Sequence, residues 1–196
     1  MPSNKIDPRV IRTKQLLVEA FLNVSQEKEM TQITVKNITD RATVNRATFY
    51  AHFNDKYEIL DYSLSMTILK DIKEALSISE TLNGQIISKL FVSIAYYLEN
   101  VQNACKLNRE TFCNHAHKCI NNELEAIFTL MLQHKYPEHD SSIIENSASF
   151  LAAGLCGLAR HWLDTSELSA EQFIDQNLPF LPVSYTHLRA HETRHD

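Results

Sequence analysis

Apolar residues recur at helical spacing almost from the start of this chain. Leu17, Ala20, Phe21 and Val24 fall at i, i+3, i+4 and i+7, one stripe on a helix expected from about Pro8 to Glu27. Thr34 is a good N-cap for a second helix ending near Ala42. Thr43-Val44-Asn45 then makes a turn, and Asn45 can cap a third helix through Phe53. Between Ile33 and Lys56 the apolar positions Ile38, Ala42, Val44, Phe49 and Phe53 are spaced for a small three-helix core. Arg46, Thr48, Tyr50, His52 and Lys56 are left facing outward. A helix-turn-helix module needs that division of labour.

The same period continues through the rest of the chain. Asp55 and Glu58 have capping-box spacing and open a fourth helix to about Ser77, with Tyr57, Leu60, Leu64, Ile68 and Ile72 inward. Gln85 to about Asn100 carries Ile86, Leu90, Ile94 and Tyr97, and a long broken helix from Lys106 to about Lys135 carries Ile120, Leu124, Ile127, Phe128 and Met131. A helix over 141–164 has small residues at its middle (Ala152, Ala153, Gly154, Gly157, Ala159), and Ser169 with Gln172 starts a last one. The expectation is an all-α fold of about nine helices. Small residues let helix backbones approach closely, and Leu151, Leu155, Leu158 and Trp162, with Phe173 and Leu178 of the last helix, give a wide apolar face. That face reads either as the domain's own core or as a four-helix dimer interface.

Composition agrees and adds an asymmetry. Only three glycines and five prolines occur in 196 residues, 44% of them hydrophobic, which favours long helices around a real core. No apolar run approaches the ~18 residues of a membrane span, and the N-terminus lacks an apolar leader core, so a soluble cytoplasmic chain is expected. Net charge is −5. Residues 1–60 hold nine Lys/Arg against seven Asp/Glu, a net +2, whereas 61–182 hold eight against fifteen, a net −7. A phosphate-contacting head on an acidic body would look like this. Cys105, Cys113, Cys119 and Cys156 form no CxxC pair and read as reduced, small apolar residues.

Ile33-Thr-Val, Ile38, Ala42, Val44-Asn45-Arg46, Thr48-Phe49-Tyr50, His52-Phe53, Lys56 and Leu60 resemble, in order and spacing, the N-terminal domain of the tetracycline-repressor (TetR) family of transcription regulators. Asn45-Arg-Ala-Thr-Phe-Tyr with Asp55-Lys-Tyr-Glu most resembles a subgroup that includes an activator of a dihydroxyacetone kinase operon. Past Leu60 the likeness is architectural only. The resemblance implies a helix-turn-helix DNA-binding domain over 1–54 and a helical ligand-sensing and dimerisation domain over 55–182. It implies a homodimer on a palindromic double-stranded DNA operator, controlled by a small-molecule effector. A repressor is the expected sign and an activator the alternative. Two departures stand out. Thr43 and Ala47 take positions where the family often has glycine, so Thr43 must avoid a positive φ or accept a small cost.

The resemblance puts the helix after the turn in the major groove. Arg46 can then donate two hydrogen bonds to a guanine edge, with a phosphate or solvent contact as the plainer alternative. Ala47 and Thr48 allow close approach, Ala47 suiting a thymine methyl and Thr48 able to reach a base or a phosphate, and Asn45 is a further candidate contact. Tyr50 and His52 suit phosphates, setting register without reading sequence. Thr34 and Lys36, at the start of the second helix, can bind phosphate by hydroxyl, amide and charge, and Lys56 can do so across the groove. Lys5, Arg9, Arg12 and Lys14 form a basic arm. For an effector pocket the candidates are Phe91, Tyr96, Tyr97, Phe112, His115, Phe128, Phe150 and Trp162, each otherwise an ordinary core residue.

Enzymatic readings are weak. No nucleophile motif, paired carboxylates or glycine-rich phosphate loop stands out, and no cofactor is expected. Cys113, His115, His117 and Cys119 alternate faces of a helix, two ligands per face, which does not close a tetrahedral zinc site. A Cys/His enzyme or a metal or thiol sensor is the remote alternative, and no metal is expected. The end of the chain, 183–196, departs from the helical pattern. Val183-Ser-Tyr-Thr-His-Leu-Arg-Ala-His-Glu-Thr193 resembles, residue by residue, the translation of a transposase-library sequencing adapter. On that reading natural sequence is followed only to about Leu181, no function attaches to His187, His191 or His195, and sequencing the locus across codon 181 is the test.

Overall fold

A computed structural model describes residues 7–75 and 82–181, with side chains 69–71 and 73–75 left aside. Lys5, the fourth helix's expected end near Ser77 and the 183–196 segment lie outside the described residues. Among those described, eight α-helices form: α1 Pro8–Glu27, α2 Val35–Ala42, α3 Arg46–Tyr50, α4 Lys56–Ala75, α5 Gly84–Ala104, α6 Arg109–Lys135, α7 Ser141–Thr165 and α8 Ala170–Asn177. Single 3-10 turns stand at Met30–Gln32, Lys106–Asn108 and Leu178–Phe180. The protein is all-α, as its periodicity predicts, but the stretch expected to be broken between Lys106 and Lys135 is a 3-10 turn followed by one continuous helix, α6.

Helix starts follow local chemistry. Asp7 caps α1 by accepting from the Arg9 amide at 2.9 Å, with Pro8 in the first turn, where its missing N–H costs nothing. Thr34 and Asn37 form a reciprocal capping box on α2, and Ser169 and Gln172 do the same on α8. The Asp55–Glu58 box is only half made. Asp55 Oδ1 accepts from the Tyr57 and Glu58 amides at 2.8 Å, but Glu58 Oε2 turns to the Asn54 backbone and side-chain amides, at 2.6 and 2.7 Å.

The chain divides into two compact units, Met1–Thr67 with Asn100–Cys119, and Ile68–Glu99 with Ile120–Asp196. The first is wider than the head expected over 1–54, because it takes in part of α4, the last turn of α5 and the start of α6. Phe112 is buried and stacks on Phe21, centroids 6.1 Å apart and planes 3° from parallel. Leu17, Ile33, Ile38, Phe49, Phe53 and Leu60 are buried in the same unit. Burying each such side chain contributes roughly 1.5–3 kcal/mol.

The second unit's core is Leu90, Phe91, Ile94, Leu98, Leu124, Phe128, Ala148, Ala152, Ala159 and Ile174, with Phe91 stacked on Phe173 at 5.6 Å. α7 is long and apolar enough to cross a membrane by length and composition, at mean hydropathy 1.3 over its best window. The sequence expectation had no such stretch. Its apolar residues have another use: one face, from Ile144 through Ala148, Ala152, Leu155 and Ala159 to Trp162, is buried in this unit.

Candidate nucleic-acid interface

The reading face is built by α2, a three-residue turn and α3. α2 stops at Thr43, which adopts φ 56° and ψ 43°, the left-handed conformation in which helices commonly end at glycine. There the Thr43 amide reaches the Asp40 carbonyl at 3.3 Å and the Val44 amide the Thr39 carbonyl at 3.0 Å. The chain thus takes the costlier of the two options the sequence left open. Asn45 then caps α3, its Oδ1 accepting from the Thr48 amide at 2.7 Å and the Thr48 hydroxyl at 3.0 Å. Phe49, fully buried between Tyr50 and Phe53 at centroid distances of 5.5 and 5.9 Å, pins α3 to the core. α3 itself ends at Tyr50 rather than Phe53; the His52 and Phe53 amides both turn back to the Phe49 carbonyl at 2.9 Å.

With Phe49 inward, Arg46, Ala47 and Tyr50 are exposed, Tyr50 at 58%, while Thr48 and His52 are half-buried beside them. The Arg46 guanidinium makes no hydrogen bond or ion pair among the described residues, so its fork of donors is open to a ligand. Lys36 pairs with Asp40 at 2.8 Å, but both side chains are more than 60% exposed, and such a pair exchanges readily for another anion. On the side of α2 nearer α1, Arg41 grips Glu27 with contacts of 2.9 and 2.7 Å. That hydrogen bond holds the Glu27 carboxyl below its ordinary range and lifts Arg41 above its own.

Four residues expected to make contacts have side chains engaged within the protein. Lys56, expected to reach a phosphate, has its Nζ donating to the backbone carbonyls of Met30 and Ile33 at 2.6 and 3.0 Å, with Thr31 O at 3.4 Å. Three carbonyls at the end of a 3-10 turn outcompete solvent for an ammonium with three N–H groups. Lys14, expected in a basic arm, sits over the Tyr62 and Phe53 rings at 4.6 and 5.5 Å. Asn45 and Thr34 keep their places on the face, but their side-chain oxygens are committed to caps.

Two effector-pocket candidates also belong to this unit. Phe112 is core, and His115 Nδ1 is bonded to an Asp61 Oδ1 while its ring stacks on Tyr57 at 5.7 Å. Sequence gave no hint of the His115–Asp61 pairing, because 54 residues separate its members. Cys119 is buried, its Sγ 3.6 Å from the Asp61 carbonyl, and no three His, Cys, Asp or Glu side chains among the described residues gather as a metal site.

In the second unit a groove of about 900 Å³ opens along α7, lined by Phe150, Leu151, Gly154, Leu155, Gly157, Leu158, His161 and Leu178 together with Ile87 and Pro179. It takes one predicted pocket residue, Phe150, and four predicted interface residues, Leu151, Leu155, Leu158 and Leu178. The other pocket candidates are packed elsewhere. Phe91, Tyr97 and Phe128 are buried core; the Tyr96 hydroxyl donates to Glu171 at 2.9 Å; and Trp162 Nε1 donates to the Leu168 carbonyl at 2.9 Å. Of the interface candidates, Trp162 and Phe173 are buried in the unit's own core.

A three-helix head presenting an open arginine at the start of the helix after a tight turn is a helix-turn-helix DNA-binding domain. Residues 17–62 match the family model of bacterial regulatory proteins, tetR family. The chain is 28% identical over 184 residues to an uncharacterized HTH-type transcriptional regulator, YxbF, of Bacillus subtilis (strain 168). That match takes in 91% of this chain and 47% of the relative, so the chain spans about half the relative's length. Among solved structures it is similar to the dihydroxyacetone kinase operon activator DhaS, at 18% identity and TM-score 0.52, covering 90% of this chain and 97% of that one. It is also similar to RolR in complex with resorcinol, at 15% identity and TM-score 0.55, covering 95% and 96%. Both likenesses are of fold.

Proposed function

We propose that this chain is a sequence-specific, DNA-binding transcriptional regulator of the cytoplasm, a binding protein and not an enzyme. It reads a palindromic operator as a homodimer and answers to a small-molecule effector, with repression as the sign. The observation that carries the reading is the division of α3: Phe49 fully buried, Arg46, Ala47 and Tyr50 offered to a groove. Arg46 reads a base edge, while Lys36, Tyr50 and His52 take phosphates. Pairing of protomers is supported by the groove along α7, where Gly154 and Gly157 have open space at the position of a β-carbon and so admit another helix closely. Effector control rests on the fold shared with RolR, whose structure holds resorcinol.

Selection of duplexes from a random pool tests the reading. The parent protein should enrich a palindrome. Arg46→Ala should then cost about 1–3 kcal/mol on the enriched duplex and relax preference at one base pair of each half-site. A variant that bound every duplex as the parent does would remove Arg46 from the readout. Placing the enriched duplex upstream of a reporter, with and without the protein, gives the sign.

A further inference from the structure

The 3-10 turn Met30–Gln32 delivers the chain from α1 into α2, so its position sets where the helix-turn-helix begins. Its main chain is held from two sides by side chains distant in sequence. On one side is Asn108, a buried residue of the turn before α6. Its Oδ1 accepts from the Met30 amide at 2.6 Å, and its Nδ2 donates to the Ser25 and Lys28 carbonyls at 2.7 and 2.9 Å. Those two carbonyls lie at the C-terminal end of α1, where helix carbonyls lose their own partners. On the other side is Lys56, the first residue of α4, whose ammonium meets the Met30, Thr31 and Ile33 carbonyls. Met30 is thus gripped by its N–H from Asn108 and by its C=O from Lys56. Three acceptors for three N–H groups leave Lys56 no donor for a phosphate.

Building on the DNA-binding reading, we infer that Lys56 and Asn108 are positioning residues for DNA recognition: they clamp the Met30–Gln32 turn and so set the placement of α2 and α3, and Lys56 is not a backbone contact. A lysine fits this clamp better than an arginine. The ammonium is a compact point from which three N–H groups diverge, whereas a planar guanidinium spreads its donors in a fork. For a phosphate contact the preference is absent or reversed, since arginine binds phosphate at least as well.

The test compares parent, Lys56→Arg, Lys56→Met and Asn108→Ala on the duplex the parent selects, titrated across a range of salt, with Lys36→Gln as a phosphate control. Lys36→Gln should lower the slope of log K against log salt by about 0.9, one phosphate's worth. Lys56→Arg and Asn108→Ala should each weaken binding by about tenfold, the scale of one lost hydrogen bond, with the slope unchanged. Lys56→Arg binding like the parent, or Lys56→Met lowering the slope as Lys36→Gln does, would overturn the inference. Amide hydrogen exchange on the free proteins tests the clamp without DNA, and Lys56→Arg, which keeps stem and charge, serves where Lys56→Met does not fold. Exchange at Met30 should quicken in Asn108→Ala, and exchange from Met30 into α2 in Lys56→Arg; unchanged rates would sink the clamp whatever the binding data show. A parent that selected no duplex would instead sink the DNA-binding reading, and faster exchange would still establish the clamp itself.

Discussion

Thr43 shows how much one residue reveals. A β-branched side chain at φ 56° is strained, since the left-handed region costs ordinary residues roughly 1–2 kcal/mol. Glycine relieves that strain but gives back roughly 0.5–1 kcal/mol of backbone entropy. Thr43→Gly should therefore raise the unfolding free energy by about 0.5–1 kcal/mol, measured by denaturant titration. A loss of stability would mean that the threonine side chain makes compensating contacts. The same scale separates what was legible from what was not. That Phe49 is buried and that Arg46 and Tyr50 are exposed was readable, because it follows from helical period and from position after the turn. The partners of Lys56 were not readable, for a specific reason. Its period puts it outward, and nothing local reveals three carbonyls from residues 30–33 waiting beside it.

At the scale of elements, α7 combines two faces with different physics. Its buried face includes Cys156, whose thiol burial pushes up from the ordinary 9.0 to about 11. The sign follows from linkage: the folded chain holds the neutral thiol more tightly than the unfolded chain does. Stability from this group is full below pH 9 and is lost as pH rises toward 11. Cys156→Ala should flatten that part of a plot of unfolding free energy against pH, as read by chemical denaturation at several pH values; an unaltered slope would assign the decline to other groups. α7's start and the start of α8 were both written locally, in Asp140 and in the Ser169–Gln172 box. Which of α7's small residues lie inward was not. Ala152 and Ala159 are buried, whereas Ala153, Gly154 and Gly157 face outward, and their shared size carries no direction.

For the whole molecule, the proposed dimer makes the α7 face the decisive surface. Nothing outside its own stretch of helix backbone lies within 4 Å of a β-carbon built on Gly154 or Gly157, so a side chain can start there without a clash at its first atom. Gly157→Leu should leave thermal unfolding of the protomer intact, since leucine favours helix over glycine. Sedimentation should then show the loss of the dimer, and binding to a palindrome should fall to that of a half-site. A variant that stayed dimeric would move the interface elsewhere. The charge division, net +2 over residues 1–60 against −7 over 61–182, belongs to this scale too. It favours approach of DNA to one part of the chain without specifying any contact.

By itself the sequence determined the all-α class, the helix starts and the residues that α3 offers. Periodicity and caps are interactions among residues three or four apart, so their outcome is written wherever the chain is read. Only the tertiary structure decided that 100–119 completes the head, that His115 pairs with Asp61 instead of lining a pocket, and that Lys56 and Asn108 close on one turn. Those contacts join residues separated by 23 to 83 positions. No local pattern encodes them, because buried polar groups take whichever partner the packed core brings within reach.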